Sequence, residues 1–157
     1  MLGEEPFVVY NGDVLADFPL DSLFEAHMGS GNLATLALRA EGSERRIQWN
    51  SQSGLITDMR GLIGGSPEPA YLFTGISIIS PAVLDHIPDG AVVSIIPILV
   101  ELLRSGGRIG GVVIDGGDWF DIGNVNSYME VHSIIASRQH AISYLPKTWP
   151  VSIQNGA

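Results

Sequence analysis

Two aspartates follow short apolar segments in a way that suits metal chemistry. Asp13 comes directly after the apolar run Phe7–Tyr10 and the pair Asn11-Gly12. Asp121 stands in the segment DWFDIGN, again at the end of an apolar stretch. Mg²⁺ in proteins keeps several waters and takes one or two carboxylates together with substrate phosphate oxygens. The two aspartates therefore predict a magnesium–phosphate site, provided that the fold brings them together.

Each aspartate also has an ordinary structural explanation. Asn11-Gly12-Asp13 is a turn sequence, in which Asp13 is simply solvated. Asp121 lies between aromatic and aliphatic neighbours, so we expect it to be buried and to need a partner, because an unpaired buried charge is costly. That partner is a cation, a helix that Asp121 caps, or a basic side chain. The chain has only 8 lysines and arginines, which favours a cation.

The elements that must position these residues alternate between strands and helices. Short apolar runs rich in β-branched residues predict strands at Phe7–Tyr10, 32–40, Ile47–Asn50, Leu55–Met59, 70–80 and 108–117, and a strand end at DWFD. Apolar residues at helical spacing predict helices over 20–28, 81–87, 95–105 and 125–139. Asp17 or Asp21 is expected to cap the first helix, and Ser80 and Ser94 the next two. Ile47–Asn50 and Leu55–Met59 flank SQSG, a hairpin signal.

This order predicts an α/β fold, specifically a three-layer α/β/α sandwich with a mixed, mostly parallel sheet. The first strand, helix and second strand form a βαβ unit, which implies a parallel pair of strands. Ligands of open α/β sheets bind beyond the carboxyl ends of strands, where Asp13 is placed. We expect residues 1–137 to form one part of a domain that is truncated at its amino terminus, and 138–157 an irregular tail.

Composition excludes several functions. The formal net charge of −9 argues against nucleic-acid binding, and an acidic protein that binds a phosphorylated metabolite needs a divalent cation, backbone N–H groups or a few placed cations. No apolar run approaches the roughly 20 residues that cross a bilayer. The absence of cysteine excludes disulfides and fits a cytoplasmic protein.

The sequence lacks the common catalytic and nucleotide-binding motifs. It contains no phosphate-binding P-loop, no G-x-G-x-x-G fingerprint and no G-x-S-x-G motif. The four histidines are scattered, and His27 and His132 are predicted to be partly buried packing residues.

Three segments, in the same order along the chain, resemble the sugar-phosphate nucleotidyltransferases, the family of mannose-1-phosphate guanylyltransferase and glucose-1-phosphate thymidylyltransferase. FVVYNGDVLADFPLDSLFEAHMGSGNLATLAL is similar to the family's strand, N-G-D, helix and A-T-L strand. YLFTGISIISPAVLDHIP is similar to its F-[TS]-G-I strand and S-P helix. GDWFDIGNVNSYMEVH is similar to its W-x-D-[IT]-G-T-P-x-x-Y segment, with Asn124-Val125 in place of Thr-Pro.

The resemblance implies a reaction and a set of roles. An NTP and a sugar 1-phosphate would be the substrates and would give an NDP-sugar and pyrophosphate, with Mg²⁺ as cofactor. The net charge and the lack of a long apolar run separately argue against nucleic acid and membrane as partners. Asp13 and Asp121 would be the catalytic metal ligands. Asn11, Gly12, Thr74 and Gly75 would contact the substrate, with the Gly75 backbone close to the sugar.

Two family motifs have no counterpart here. The glycine-rich G-x-G-[ST]-R loop and the later P-K are missing, so the chain is expected to be inactive alone. MRGLIGG stands where relatives carry E-K-P, with Arg60 a candidate for the lysine. The alternatives are a non-catalytic sugar-nucleotide-binding or regulatory relative, a glycosyltransferase of related fold, and a plain interaction module. An unpaired edge at Phe7–Tyr10 would favour self-association into a homo-oligomer.

Overall fold

A computed structural model describes residues 3–64 and 69–137, so the segment 138–157 and its predicted tail lie outside the described residues. The chain divides into two compact units, one of Met1–Asn11 and Pro19–Asp115, the other of Gly12–Phe18 and Gly116–Ala157. The strands are β1 (Phe7–Tyr10), β2 (Val14–Asp17), β3 (Ala34–Arg39), β4 (Ile47–Asn50), β5 (Leu55–Met59), β6 (Ala70–Ile79), β7 (Ile109–Val113) and β8 (Asp118–Asp121). The helices are α1 (Asp21–His27), a 3₁₀ helix (Pro81–His86), α2 (Ile95–Arg104) and α3 (Val125–Ala136).

The sheet of the first unit closes on itself. Its strand order is β1-β6-β3-β7-β5-β4, and β4 also pairs with β6. The five strands from β6 to β4 in this order therefore form a closed ring, and β1 lies outside the ring, paired with β6. Among the described strands, β3 and β7 form the one parallel pair, and every other pairing is antiparallel. The prediction of a mostly parallel sheet is therefore wrong. The barrel-like closure also leaves the predicted three-layer sandwich unconfirmed.

The error came from the first βαβ unit. β1 and β3 do run in the same direction, as predicted, but β6 lies between them and is hydrogen-bonded antiparallel to both. Because β6 is distant along the chain from both strands, local sequence carries no signal for its insertion. The hairpin of β4 and β5 is confirmed, with the predicted bounds.

The core of the first unit lies between this sheet and its helices. Fully buried side chains of β3, β6 and β7, such as Leu36, Ile78 and Ile109, supply its sheet side. α1 contacts β3, β6 and β7, and α2 contacts β5. α2 begins as predicted, because the Ser94 hydroxyl accepts the Ile96 N–H at 3.4 Å. Its end also matches, since Gly106 adopts a φ of 85°.

The second unit contains β2, β8 and α3 among its described residues. β2 and β8 pair antiparallel, from Val14 opposite Asp121 to Asp17 opposite Asp118. β2 was not predicted, because its residues were assigned to the connection between the Asn11-Gly12-Asp13 turn and the first helix. The predicted cap of α1 by Asp17 or Asp21 is wrong: Asp17 belongs to β2, Asp21 is already the first helical residue, and Leu20 occupies the N-cap without a side-chain hydrogen bond.

β1 is the edge strand of the first sheet. Its described neighbour is β6 alone, on one side. Val8 and Tyr10 are 37% and 44% exposed. The other edge is thus open within the described residues, and self-association through it stays a prediction. Across residues 3–64 and 69–137, no helix combines the length and apolar character needed to cross a lipid bilayer.

His27 is a buried structural residue, as predicted, whereas His132 on α3 is exposed and contacts the Tyr128 ring. The His27 Nδ1 lies 3.0 Å from the Thr35 hydroxyl and its Nε2 lies 3.2 Å from the Ser80 hydroxyl. These bonds join α1 to β3 and to the start of the 3₁₀ helix. Burial removes water from the imidazole and lowers the pKa of His27.

The lowered pKa predicts that stability depends on pH. The ordinary pKa of a histidine is about 6.5. Below that pH, His27 binds a proton in the unfolded chain but stays neutral in the folded chain, so the free energy of unfolding falls as the pH drops through that value. The slope contributed by His27 is at most about 1.4 kcal/mol per pH unit. Urea denaturation at pH 7.5 and 5.5 measures it. A His27→Gln variant should show a shallower pH dependence and His132→Gln the wild-type one; equal slopes in all three proteins would contradict the prediction.

Candidate active site

The ladder of β2 and β8 brings Asp13 and Asp121 together within the second unit. Asp13 directly precedes β2, and Asp121 is the last residue of β8, opposite Val14. The backbone extends the ladder by one more bond, because the Ile122 N–H donates to the Asp13 carbonyl oxygen at 2.8 Å. Two residues far apart in sequence thus become neighbours across a pair of strands.

Gly123 shows how closely the two carboxylates approach. A Cβ added at Gly123 would lie 3.0 Å from Asp121 Oδ1 and 3.1 Å from Asp13 Oδ2, so both oxygens border the same small space. The Gly123 N–H donates to Asp121 Oδ1 at 2.9 Å and orients that carboxylate. Any side chain at Gly123 would enter the space between the two carboxylates.

The structural explanations for Asp121 do not hold. It is exposed, so the expectation that it is buried among Trp119 and Phe120 is wrong. It does not cap α3, because Asn124 does so by accepting the Ser127 N–H at 3.0 Å. Within residues 3–64 and 69–137, neither Asp13 nor Asp121 forms an ion pair with a basic side chain. Both carboxylates are therefore exposed, and no basic side chain of the described residues pairs with either of them.

This pair fits the coordination habits of Mg²⁺. The described residues contain no group of three or more acidic, histidine or cysteine ligands. Two carboxylates suffice for an ion that takes its remaining ligands from water and phosphate oxygens. A Zn²⁺ site, by contrast, needs three or four protein ligands, which this pair does not supply.

Asn11 and Gly75 form a second close approach, in the first unit. The Asn11 N–H donates to the Gly75 carbonyl oxygen at 3.0 Å, where β1 ends against β6. Gly75 has a φ of 82°, and a Cβ there would lie 2.9 Å from Asn11 Nδ2. A glycine inside a strand often marks a bulge, and the β3–β6 register does shift here, between Leu36 and Leu38. The neighbour that crowds Gly75 is the Asn11 side chain.

Thr74 and Gly12 differ in their surroundings. Thr74 is fully buried, and its hydroxyl donates to the Ala37 carbonyl oxygen at 2.9 Å and accepts the Ile76 N–H at 3.2 Å. This gives the hydroxyl a structural task across the bulge, and a substrate contact by Thr74 stays a prediction. Gly12 is exposed, and a Cβ added to it would meet open space.

Two glycines that help to position Asp13 and Asp121 were not identified from the sequence. Gly123 lies between the carboxylates, and Gly117 precedes β8 with a φ of 76°, packed against the Asp17 carbonyl group. The triplet Asp121-Ile122-Gly123 was a usable signal for Gly123, since a glycine beside a candidate ligand allows close approach. Gly117 gives no such signal, because Gly116-Gly117 reads simply as a turn.

Comparison with known proteins found relatives of part of this chain, although no family model matches it. The UTP–glucose-1-phosphate uridylyltransferase of Synechocystis is 29% identical over 145 residues, covering 87% of this chain and 36% of that protein. The "Probable mannose-1-phosphate guanylyltransferase 2" of Oryza sativa subsp. japonica is 26% identical over 133 residues, covering 80% and 35%. The chain thus spans about a third of the length of these curated relatives.

The fold of the chain is also found among solved structures. The inositol-1-phosphate CTP transferase of T. maritima superposes with a TM-score of 0.62 at 15% identity, covering 89% of this chain and 59% of that one. At such low identity the likeness establishes the fold alone.

Proposed function

We propose, from the similarity of this chain to sugar-phosphate nucleotidyltransferases, that it contributes to the transfer of a nucleotidyl group from an NTP to a sugar 1-phosphate. The products are an NDP-sugar and pyrophosphate. The chain spans about a third of the length of these curated relatives, and the complete reaction is the one that the full-length relatives are named for. The phosphate oxygen of the sugar attacks the α-phosphorus of the NTP, and the bond to pyrophosphate breaks.

The convergence of Asp13 and Asp121 on the space beside Gly123 is the observation that supports this proposal. The two carboxylates would hold Mg²⁺. When bound, that ion neutralises phosphate charge and orients the reacting phosphates. Asp121 is fixed for this task by the Gly123 N–H, and Asp13 by the backbone bond from Ile122. Nucleotidyl transfer needs positioning and charge neutralisation more than a protein nucleophile, and the pair supplies the negative charge that such an ion requires.

Asn11, Gly12, Thr74 and Gly75 are the residues proposed to contact the substrate. Asn11 is exposed, and its backbone N–H bond to the Gly75 carbonyl oxygen places its side chain beside Gly75. Gly12 is exposed between Asn11 and Asp13 and leaves space beside the backbone for a ligand. Thr74 supports the bulge that gives Gly75 its left-handed conformation.

The reverse reaction, with an NDP-sugar and pyrophosphate as substrates, distinguishes a nucleotidyltransferase from a glycosyltransferase. Asn11-Gly12-Asp13 offers one carboxylate, whereas glycosyltransferases of related fold commonly use D-x-D. With pyrophosphate and Mg²⁺, a nucleotidyltransferase makes NTP from an NDP-sugar, and a glycosyltransferase does not. A non-catalytic relative would bind the NDP-sugar without turnover.

The test uses the product of the complete reading frame that encodes these residues. UDP-glucose, GDP-mannose and dTDP-glucose are each incubated with pyrophosphate and Mg²⁺, and NTP is followed by ³¹P NMR. We expect NTP to form from at least one of them, and EDTA to abolish its formation. Binding of an NDP-sugar with no NTP from any of the three would overturn the proposal.

A further inference from the structure

His27 belongs to a closed ring of hydrogen bonds in the first unit. Its Nδ1 lies 3.0 Å from the Thr35 hydroxyl and its Nε2 lies 3.2 Å from the Ser80 hydroxyl. Asn32 completes the ring, because its side-chain Nδ2 donates to the Thr35 hydroxyl at 3.3 Å and its carbonyl oxygen accepts from the Ser80 hydroxyl at 3.1 Å. The ring thus connects the end of α1 with the beginning of β3 and with the N-cap of the 3₁₀ helix.

The directions of these bonds fix the tautomer of His27. The Ser80 hydroxyl has one proton, which it donates to the Asn32 carbonyl oxygen, so the His27 Nε2 must carry a proton and donate it to Ser80. The Thr35 hydroxyl accepts from Asn32, and among the described residues its own proton has the His27 Nδ1 as acceptor. The neutral imidazole therefore carries its proton on Nε2, and Nδ1 is the place for a second proton.

The Asn32 side chain carries an acceptor that this arrangement leaves unused. Asn32 is 8% exposed, and its Oδ1 is shielded from water without a hydrogen-bond partner among the described residues. Rotation of the amide by half a turn exchanges Oδ1 with Nδ2, which would put the unused acceptor beside the Thr35 hydroxyl. Gly110 of β7 leaves room for the amide, since a Cβ there would overlap Asn32 Nδ2.

No charged side chain of the described residues forms a hydrogen bond or ion pair with His27. α1 packs against β3, β6 and β7. Arg39 of β3 donates to carbonyl oxygens that follow β7, and Tyr71 of β6 contacts the Trp49 ring. The other titratable residues of α1 and the 3₁₀ helix, and the one that precedes β7, are exposed: Asp21, Glu25, Asp85, His86 and Arg108. Burial alone lowers the pKa of His27, so the ring itself has to accommodate an added proton.

We propose that protonation of His27 reverses part of this ring and that rotation of the Asn32 amide keeps the acid form folded. A proton from solvent on Nδ1 turns this nitrogen from an acceptor into a donor, and it then donates to the Thr35 oxygen. The Thr35 hydroxyl proton loses its acceptor and turns to the rotated Asn32 Oδ1. The bond from Nε2 to Ser80 stays as it is.

The ring is thus an acid-sensitive element with two arrangements of its hydrogen bonds. It lies where α1, β3 and the 3₁₀ helix meet, all within the first unit. The inference goes beyond nucleotidyl transfer and does not depend on it, because the ring needs neither metal nor substrate.

The test follows the 157-residue chain by NMR from pH 8 to pH 4, without metal or nucleotide. Two-bond ¹H–¹⁵N spectra of the imidazole distinguish its tautomers, and ¹H–¹⁵N correlation spectra follow the Asn32 side-chain amide. At pH 8 we expect neutral His27 with its proton on Nε2. As the pH falls, His27 should gain a proton in the folded protein, and the Asn32 side-chain signals should shift with the same midpoint.

Variants separate this relay from a merely structural ring. Asn32→Leu should lower the midpoint of His27 by about half a pH unit or more, because the Thr35 proton then has no acceptor in the acid form. In a Thr35→Val background the same substitution should leave the midpoint unchanged, since the linking hydroxyl is gone. The matched control is Asn126→Leu, the same change at an exposed position of α3, which should titrate like wild type.

Three results would overturn the proposal. The first is a neutral imidazole with its proton on Nδ1, and the second is unfolding of the protein before His27 gains its proton. The third is the same midpoint in Asn32→Leu and Asn126→Leu. The tautomer and the Asn32 side-chain signals of the wild-type protein decide the question even if Asn32→Leu does not fold.

Discussion

Gly117→Ala is expected to unfold the ladder of β2 and β8 and to cost about 3 kcal/mol of stability in the second unit. Two effects add. The φ of 76° is strained for any residue with a Cβ, and that Cβ would overlap the Asp17 carbonyl oxygen and lie 2.8 Å from its carbon. Since Asp17 pairs with Asp118, the substitution pushes the two strands apart at their last pair.

Its neighbour provides a matched control. Gly116→Ala adds the same methyl group where nothing lies within 4 Å and where φ is not positive, so a change of less than about 0.5 kcal/mol is expected. Amide hydrogen exchange of the β2 and β8 residues measures local opening in both variants. Similar protection of the ladder in the two variants would show that Gly117 is not required for it.

The second large effect is expected at the carboxylates themselves. Asp13→Asn and Asp121→Asn each remove one negative charge and keep the shape of the side chain. Because both residues are exposed, the fold should be retained, and the loss should fall on divalent-cation binding. In the complete protein we expect the rate of NTP formation to drop about a hundredfold or more in each variant, because stabilisation of developing phosphate charge is lost. Steady-state kinetics at saturating Mg²⁺ measures it.

The strands of the first unit were largely predictable, because their residues carry a local signal. Phe7–Tyr10, Ile47–Asn50 and Leu55–Met59 have the predicted bounds, since each is a short apolar or hairpin segment bounded by turn residues. Their arrangement was not predictable. The insertion of β6 between β1 and β3, and the closure of the ring through β4, depend on hydrogen bonds between segments distant in sequence.

The two carboxylates of the candidate site could be predicted from the sequence, but the strand pairing that brings them together could not. The residue types and motif contexts of Asp13 and Asp121 indicated metal ligands, but the reason for their proximity is β2, a strand of four residues of intermediate burial. The apolar neighbours of Asp121 led to the wrong prediction that its carboxylate is buried. Trp119 and Phe120 are partly exposed, and the carboxylate is in solvent.

The proximity of two acidic side chains at one divalent cation is tested most directly with Mn²⁺ as a paramagnetic substitute for Mg²⁺. In the 157-residue chain, Mn²⁺ should broaden the Ile122 and Gly123 amide signals at low concentration, and Mg²⁺ should reverse the effect. Asp13→Asn and Asp121→Asn should each require at least about tenfold more Mn²⁺, since each removes one of the two charged ligands. Asp21→Asn, at an exposed aspartate of α1, should behave like wild type. Unchanged broadening in both site variants would show that these two carboxylates do not share an ion.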